Sequence, residues 1–126
     1  PERLSRFDAA VDLAVTHGTK VEKADAADWL DRELDTLPEG QLTVVCHSVF
    51  LQYPPRETRA HITYRIERAG EAATKNSPLA WLRYEPEALW TKSKSPKLLL
   101  DLRIWPGNHH IKLAQSDGHV RLVTDA

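Results

Sequence analysis

The chain has 126 residues, 41% of them hydrophobic and 28% charged, and its formal net charge is −1. This length and composition are typical of one globular domain with a hydrophobic core. The 17 basic residues form no basic block among the 18 acidic ones, so we predict no nucleic-acid partner. Nothing resembles a signal peptide and no apolar run is long enough to span a bilayer, so we predict no membrane partner and a cytoplasmic location.

Cys46 is the only cysteine, which excludes an intrachain disulfide and favours a reducing compartment. It lies in an apolar, β-branched run, and we therefore expect it to be a buried, inert thiol. Methionine is absent, even at position 1. We therefore expect residues 1–126 to form a single α/β domain that begins inside a longer protein.

The amino-terminal part predicts two helices with a short strand between them. The first helix runs from Pro1 to His17, and Gly18 suits a left-handed C-terminal cap. A short strand follows from Thr19 to Lys23. Asp25 then suits an N-cap, and the second helix runs to about Leu37. The stripe that this helix is predicted to bury consists of Trp29, Leu30, Leu34 and Leu37.

The centre of the chain predicts two inner strands joined by a helix. Apolar and β-branched residues from Leu42 to His47 predict a strand that is buried on both faces. A helix is predicted from Pro55 to about Ala73, and a second strand from Leu79 to Tyr84. This order and spacing predict a βαβ unit, in which the two strands are parallel and the crossover is right-handed.

The carboxyl-terminal part predicts antiparallel strands. From Leu98 to Trp105 apolar residues recur at every second position, which is typical of a strand with one buried face. Residues Pro106–Asn108 predict a turn and Asp117-Gly118 a second one, with alternating residues on either side. The predicted fold class is therefore α/β, with parallel strands, flanking helices and an antiparallel carboxyl-terminal meander in one mixed sheet.

Polar side chains follow the central strand where it ends, at His47 and Ser48. Because ligands bind outside the carboxyl ends of parallel strands, both residues are candidates for catalysis or ligand binding. Glu85 ends the neighbouring strand and is predicted to reach His47, whose tautomer it would orient. Tyr53 is predicted to line the same cleft at the carboxyl ends of these strands. Each residue also has a structural alternative: a hydrogen bond to nearby backbone, an exposed strand-end carboxylate, or packing against the start of a helix.

Metal and phosphate sites are not predicted. His109 and His110 are adjacent on a strand, so their side chains point to opposite faces and cannot easily share an ion. The five glycines are scattered singly, so the sequence contains no glycine-rich phosphate loop. Ser48 lacks the Gly-x-Ser-x-Gly surroundings of an α/β-hydrolase nucleophile.

Four groups of short motifs carry a family resemblance, and they are Ala24–Ala26 with Trp29-Leu30, His47–Val49 with Gln52-Tyr53, Pro78–Arg83 with Glu85, and Trp105–Gly107. In order and spacing they resemble an uncharacterised bacterial family, the domain-of-unknown-function family twenty-three thirty-two. The resemblance covers nearly the whole chain, but only the carboxyl-terminal part of the much longer family members. Near the end, the family's His-Gly pair and aromatic residue are replaced by Asp117–Val120, which leaves any role of that histidine open here.

The layout of this family resembles the second half of a Rossmann-like S-adenosylmethionine methyltransferase domain. The resemblance implies that the mixed sheet is Rossmann-like and belongs to an incomplete methyltransferase-like domain. It places Asp25 near the nucleoside of S-adenosylmethionine, and it lines the cleft with His47, Ser48, Tyr53 and Glu85. The glycine-rich turn would lie upstream of Pro1, so this cofactor is expected in the full-length protein and bound weakly or not at all by this chain. As an alternative, Asp25 is only a helix N-cap.

The sequence leaves three functions open. The leading interpretation is a protein of unknown function that resembles S-adenosylmethionine-dependent methyltransferases and has an incomplete cofactor site. The alternative is a non-catalytic protein-interaction or dimerisation module, because missing upstream strands would expose a sheet edge and an apolar face through which a homodimer forms. The third is a small hydrolase that uses His47 with Ser48 or Glu85.

Overall fold

The computed structural model describes residues 2–18, 20–91 and 94–126. The helices are α1 (Glu2–Thr16), α2 (Ala26–Glu33) and α3 (Arg56–Ala72), with a short 3-10 helix at Glu87–Leu89. The strands are β1 (Thr43–Ser48), β2 (Leu79–Pro86), β3 (Leu98–Trp105), β4 (His109–Ser116) and β5 (Val123–Asp125). Pro1 and Thr19, which we predicted to begin a helix and a strand, lie outside the described residues.

The described strands form one open, five-stranded sheet in the order in which they occur along the chain. β1 and β2 are parallel, with Thr43 opposite Leu79 and Ser48 opposite Tyr84. The other neighbouring strands are antiparallel. This arrangement confirms the predicted α/β class, the parallel pair joined through a helix, and the antiparallel meander.

The main core lies between α2, α3 and one face of the sheet, which we call the helix-covered face. Ile62 and Ile66 of α3 pack there with Trp81 and Trp105. Gly70 of α3 allows the closest approach, because a Cβ atom at this position would lie 2.4 Å from Cδ2 of Trp105. The absence of a side chain at Gly70 therefore lets the helix backbone rest directly on the indole ring.

The opposite face of the sheet, which we call the open face, has no helix packed over it among the described residues. Val44 of β1 is 51% exposed on this face, and Ile111 of β4 is also exposed. Leu82 and Leu102 between them are only half-buried. Contiguous exposed apolar side chains of this kind mark interaction surfaces in soluble proteins.

α1 presents a second exposed apolar surface. It buries none of its residues. Leu4, Phe7, Val11 and Val15 lie at helical spacing along one stripe, and all four are exposed. Isolated helices shorter than about 12–15 residues are marginal in water, so most helices depend on packing of an apolar face. With its 15 residues, α1 lies at this limit.

Three predictions for the region before β1 are wrong. Residues 20–23 form no strand. α2 ends at Glu33, and Leu37 lies beyond it as a half-buried neighbour of the core. Trp29, which we predicted to be buried, is exposed. The reason is that α2 touches the core at its margin, so only a narrow stripe that includes Leu30 is covered.

The predicted double burial of the central strand is also wrong. β1 is an edge strand of the described sheet, and its residues alternate between half-buried and exposed. Cys46 is an exposed thiol, contrary to our expectation. β1 has a neighbouring strand on one side only and helices on one face only, so every second side chain remains in contact with solvent.

Candidate functional site

His47 and Glu85 meet at the carboxyl ends of β1 and β2, on the helix-covered face. His47 lies opposite Arg83 in the parallel register, and Glu85 follows two residues later on β2. Nδ1 of His47 lies 2.7 Å from Oε1 of Glu85. The Glu85 side chain is 0% exposed and the His47 side chain 12% exposed. The contact that the sequence predicted between these two residues is therefore present and buried.

The tautomer of His47 follows from its second contact. The indole N–H of Trp81 donates a hydrogen bond of 2.9 Å to Nε2 of His47. An indole nitrogen can only donate, so Nε2 accepts and the ring proton resides on Nδ1, which donates to Glu85. A general base needs a free acceptor within reach of its substrate. In this arrangement His47 has no free ring nitrogen, and it links Trp81 to Glu85.

Glu85 also holds the segment of chain that leaves β1. Its Oε1 accepts hydrogen bonds from the backbone N–H of Phe50 at 2.8 Å and of Leu51 at 3.2 Å. Just before them, Val49 has a φ angle of 50°, which is an outlier for a β-branched residue. The N–H of Val49 donates to the carbonyl of Tyr84 at 2.8 Å. The carboxylate thus secures a strained turn at the strand end.

The second carboxylate oxygen of Glu85, Oε2, is buried and has no hydrogen-bond partner among the described residues. Such atoms are rare, and each costs about 1–3 kcal/mol. The hydrogen bonds at Oε1 must outweigh this cost. Glu85 is therefore the residue of the site whose substitution should affect the fold most.

Ser48 and Tyr53 do not join this pair. Successive residues of a strand point to opposite faces, so Ser48 is exposed on the open face while His47 is on the helix-covered face. Tyr53 is 76% exposed. Of the four residues that we predicted along the cleft, the structure brings together only His47 and Glu85.

Asp25 is the N-cap of α2. Its Oδ1 accepts hydrogen bonds from the backbone N–H of Ala27 at 2.8 Å and of Asp28 at 3.3 Å. Its extended backbone, with φ −66° and ψ 136°, is typical of the N-cap position. The structural alternative for Asp25 is therefore confirmed, and its approach to a nucleoside stays a prediction.

Our sequence analysis missed a buried ion pair beside this site. Arg83 donates from Nε and Nη2 to the two carboxylate oxygens of Asp101, at 2.6 and 2.9 Å. The guanidinium group lies 4.4 Å from the ring centroid of Trp81 and 4.1 Å from that of Trp90. One signal was available: β2 and β3 each carry a charged residue of opposite sign at a position that the meander places face to face.

Two groups of the sequence motifs meet in this network. His47 comes from one motif, and Trp81, Arg83 and Glu85 come from another. Glu85 bonds to His47, His47 to Trp81, and the Trp81 ring stacks on Arg83. These two motif groups therefore form a continuous chain of polar and aromatic contacts at one end of the sheet.

Resolved pKa shifts lie away from this network. The pKa of Arg32 is above its ordinary value, mainly because Glu33 accepts a hydrogen bond from its side chain and Glu22 accepts another. The pKa of Asp117 is below its ordinary value, mainly because the backbone N–H of Arg121 donates to its carboxylate. Both groups belong to exposed local ion pairs.

Within residues 2–18, 20–91 and 94–126, no three His, Cys, Asp or Glu side chains form a group that could hold a metal ion. In the same part of the chain, no helix combines the length and the apolarity needed to cross a bilayer.

The fold and the network define a small mixed α/β domain in which a buried chain of polar contacts secures the ends of two parallel strands. A family model described as an uncharacterized protein conserved in bacteria (DUF2332) matches residues 1–124. The chain belongs to this family, so the resemblance to it that we stated from sequence motifs is confirmed. No curated protein matches the chain, and no solved structure matches it.

Proposed function

We propose that this domain is a non-catalytic association module that pairs with a second copy of itself through the free edge of β1. The observation that carries the proposal is the direction of the β1 backbone groups. The N–H of Thr43 donates to Pro78, and the N–H of Val49 donates to Tyr84, so odd-numbered residues bond toward β2. Even-numbered residues therefore direct N–H and C=O groups toward the free edge.

This edge lacks the features that normally prevent pairing with another strand. Natural edge strands carry Lys residues, prolines, bulges or inward-pointing charges that block such contacts. β1 has the sequence Thr-Val-Val-Cys-His-Ser, which contains no Lys, Arg, Asp, Glu or Pro. Two copies would meet without like-charge repulsion along the strand, and the net charge of −1 adds little repulsion between whole molecules.

The outward-facing residues define one symmetric register. In an antiparallel pair with its two-fold axis at Cys46, Val44 lies opposite Ser48 of the partner subunit, and Cys46 lies opposite the partner subunit's Cys46. All the outward backbone groups of β1 then find partners, and contacts of this kind are isologous. Opposed Cα atoms in a hydrogen-bonded antiparallel pair are about 5.5 Å apart, within the range that a disulfide spans.

The pairing would also join the two open faces into one continuous apolar surface. Only a few residues of each edge provide hydrogen bonds, so the interface is small. We expect a weak dimer with a dissociation constant of roughly 1–100 μM.

Sedimentation equilibrium on the 14.3 kDa chain tests the proposal. We expect a concentration-dependent mass that approaches twice the monomer mass. Val44→Lys should raise the dissociation constant at least tenfold, since it places a charge on the paired edge. The matched control is Val123→Lys, an exposed valine on the opposite edge strand β5, which should leave the mass unchanged. A monomer at all concentrations, or equal effects of the two variants, would overturn the proposal.

Oxidation of the single thiol provides a second readout. Mild oxidation should link two chains through Cys46, and Val44→Lys should abolish this product. A disulfide dimer that forms equally in Val44→Lys would mean random collision of exposed thiols. If the outward amides of Val44, Cys46 and Ser48 are protected from hydrogen exchange in a monomer, another segment of the same chain occupies the edge, and a second copy does not.

A second candidate function is S-adenosylmethionine-dependent methyl transfer in the full-length protein, and one observation favours it. β1 and β2 are parallel and joined through α3, and the buried His47–Glu85 pair lies at their carboxyl ends. Ligands bind at this end of open parallel sheets. In this proposal Asp25 approaches the nucleoside, and the strand end that carries His47 and Glu85 faces the transferred methyl group.

Calorimetry with S-adenosylmethionine tests this second candidate. We expect no measurable heat at millimolar cofactor from the 126-residue chain, because the sequence contains no glycine-rich turn. In a longer form of the protein, the candidate requires saturable binding that Asp25→Ala weakens more than Asp28→Ala does. If the longer form did not bind S-adenosylmethionine, this second candidate function would be excluded.

A further inference from the structure

A groove crosses the helix-covered side of the molecule between α3, the segment after the 3-10 helix, and the β3–β4 turn. Two adjoining cavities of about 400 and 410 Å³ form it. Thr63, Glu67 and Trp90 line both cavities, so the two are continuous. We call this feature the Trp90 groove. Each volume falls within the range of about 300–1,000 Å³ that is typical of small-molecule sites.

Positive charge is unbalanced at one end of the Trp90 groove. Arg83 is paired with Asp101, and Arg103 is paired with Glu67. Arg56 and Arg59 line the unbalanced end of the groove, and neither has a carboxylate partner among the described residues. Among the described residues, the Arg59 side chain donates only to the backbone carbonyl of Leu51. Two guanidinium groups are therefore available to an anion at this end.

The middle of the groove presents a fixed aromatic ring. The guanidinium of Arg83 holds Trp90 from one side, and the Trp81 ring meets it edge-on with centroids 6.1 Å apart. Trp90 remains half-buried and lines both cavities. A ring that is already held in place loses little freedom when a flat ligand packs against it.

The far end of the groove is polar. Asn108 and His110 line it. The Asn108 side-chain oxygen accepts hydrogen bonds from Arg103, whose guanidinium also lies 4.8 Å from the Trp105 ring centroid. His110 is 46% exposed on its side chain, so its imidazole remains accessible. Neutral polar groups of a ligand can therefore be recognised here.

We propose that the Trp90 groove binds a small ligand in which a planar aromatic ring carries an anionic group, with the dimensions of a mononucleotide. The anion would lie between Arg56 and Arg59, whose forked donors suit phosphate and carboxylate equally. The ring would pack on Trp90, and the polar remainder would reach Asn108. The β1 edge takes no part, so this site is independent of the proposed association.

Adenosine monophosphate is the probe, with Trp fluorescence and the indole N–H signal of Trp90 as readouts. We expect saturable binding with a dissociation constant between roughly 10 μM and 1 mM for a ligand of this size. Inorganic phosphate and adenosine should each bind at least tenfold more weakly, because phosphate lacks the aromatic ring and adenosine lacks the anionic group. Benzoate separates a carboxylate-preferring site from a phosphate-preferring one.

The double variant Arg56→Gln, Arg59→Gln should weaken binding of adenosine monophosphate at least tenfold. The matched control is Arg68→Gln, an exposed arginine of the same helix that pairs with Glu71 and does not line the groove. Equal binding by phosphate alone would mean an adventitious anion contact only and would overturn the proposal, as would equal effects of the two variants. Val44→Lys should leave this binding unchanged, so failure of the association proposal is separately visible.

Discussion

Replacing Glu85 with alanine should destabilise the domain more than any other single carboxylate substitution at this strand end. Three donors converge on its Oε1: the backbone N–H of Phe50, the backbone N–H of Leu51 and Nδ1–H of His47. In Glu85→Ala all of them lose their acceptor. Leu51 is fully buried, so water cannot replace the carboxylate there without opening the turn.

The magnitude follows from these contacts. Each buried donor left without a partner costs about 1–3 kcal/mol, while removal of the unpaired Oε2 returns a similar amount. Together with the cavity left behind, we expect a net loss of about 3–5 kcal/mol in the free energy of unfolding. Glu85→Gln keeps one acceptor oxygen and should lose only about 1–2 kcal/mol.

Equilibrium urea denaturation, followed by Trp fluorescence, measures these losses. The control is Glu39→Ala, an exposed carboxylate in the turn before β1, which should stay within about 0.5 kcal/mol of the unchanged chain. The near-ultraviolet circular dichroism of the chain should change in Glu85→Ala, because the hydrogen bond between Trp81 and His47 is lost when His47 loses its orientation. A loss below about 1 kcal/mol in Glu85→Ala would refute the idea that this carboxylate holds the strand end.

Three further results are expected. Val49→Gly should stabilise the domain by up to about 1 kcal/mol in urea denaturation, because glycine adopts φ 50° without strain; destabilisation would contradict the strained turn. Phe7→Ala should cost less than about 0.5 kcal/mol and Ile66→Ala about 2–5 kcal/mol, and a large loss in Phe7→Ala would mean that α1 is docked. The Asp117 carboxyl should titrate by NMR below the ordinary value near 3.9, since its pKa is lowered in the fold. Its contribution to stability is therefore present above that value and lost as the pH falls through the folded pKa, and an ordinary midpoint would contradict this.

Periodicity in the sequence predicted most of the fold because each element has a local cause. Ile62 and Ile66 recur at helical spacing and do form the buried stripe of α3. Alternating residues in β3 and the turn at Pro106–Asn108 led to the correct antiparallel pairing with β4. Asp25 is an N-cap through hydrogen bonds to residues two and three positions later, so the relevant contacts are themselves local.

Burial was harder to predict because it depends on neighbours that are distant in sequence. The run Thr43–Ser48 is apolar enough for an inner strand, yet only one strand and one helical layer contact it in the described chain. Cys46 is therefore exposed although its sequence surroundings favour burial. Trp29 is exposed for a related reason, since a tryptophan at the margin of a core packs with only part of its surface.

The candidate site was predictable only in part for the same reason. That His47 and Glu85 meet follows from the parallel register of two adjacent strand ends. The blocking of Nε2 by Trp81 does not follow from any spacing, because Trp81 and His47 are on different strands and their contact depends on side-chain orientation. Whether a histidine offers a free nitrogen is thus a property of the packed structure.

The buried Arg83–Asp101 pair helps to specify the register of β2 and β3 at these strand ends. A buried ion pair is weak evidence for stability, because desolvation of both charges offsets most of their attraction, but it can specify one arrangement over others. Arg83 and Asp101 are directly opposite in the β2–β3 register. A slip of one residue would move one partner to the open face and leave the other charge buried alone.

Because Glu85 follows Arg83 on the same strand, the ion pair that sets this register also places Glu85 against His47 and the turn at Val49. The same pair holds Arg83 against Trp90, so the strand end and the Trp90 groove depend on one register.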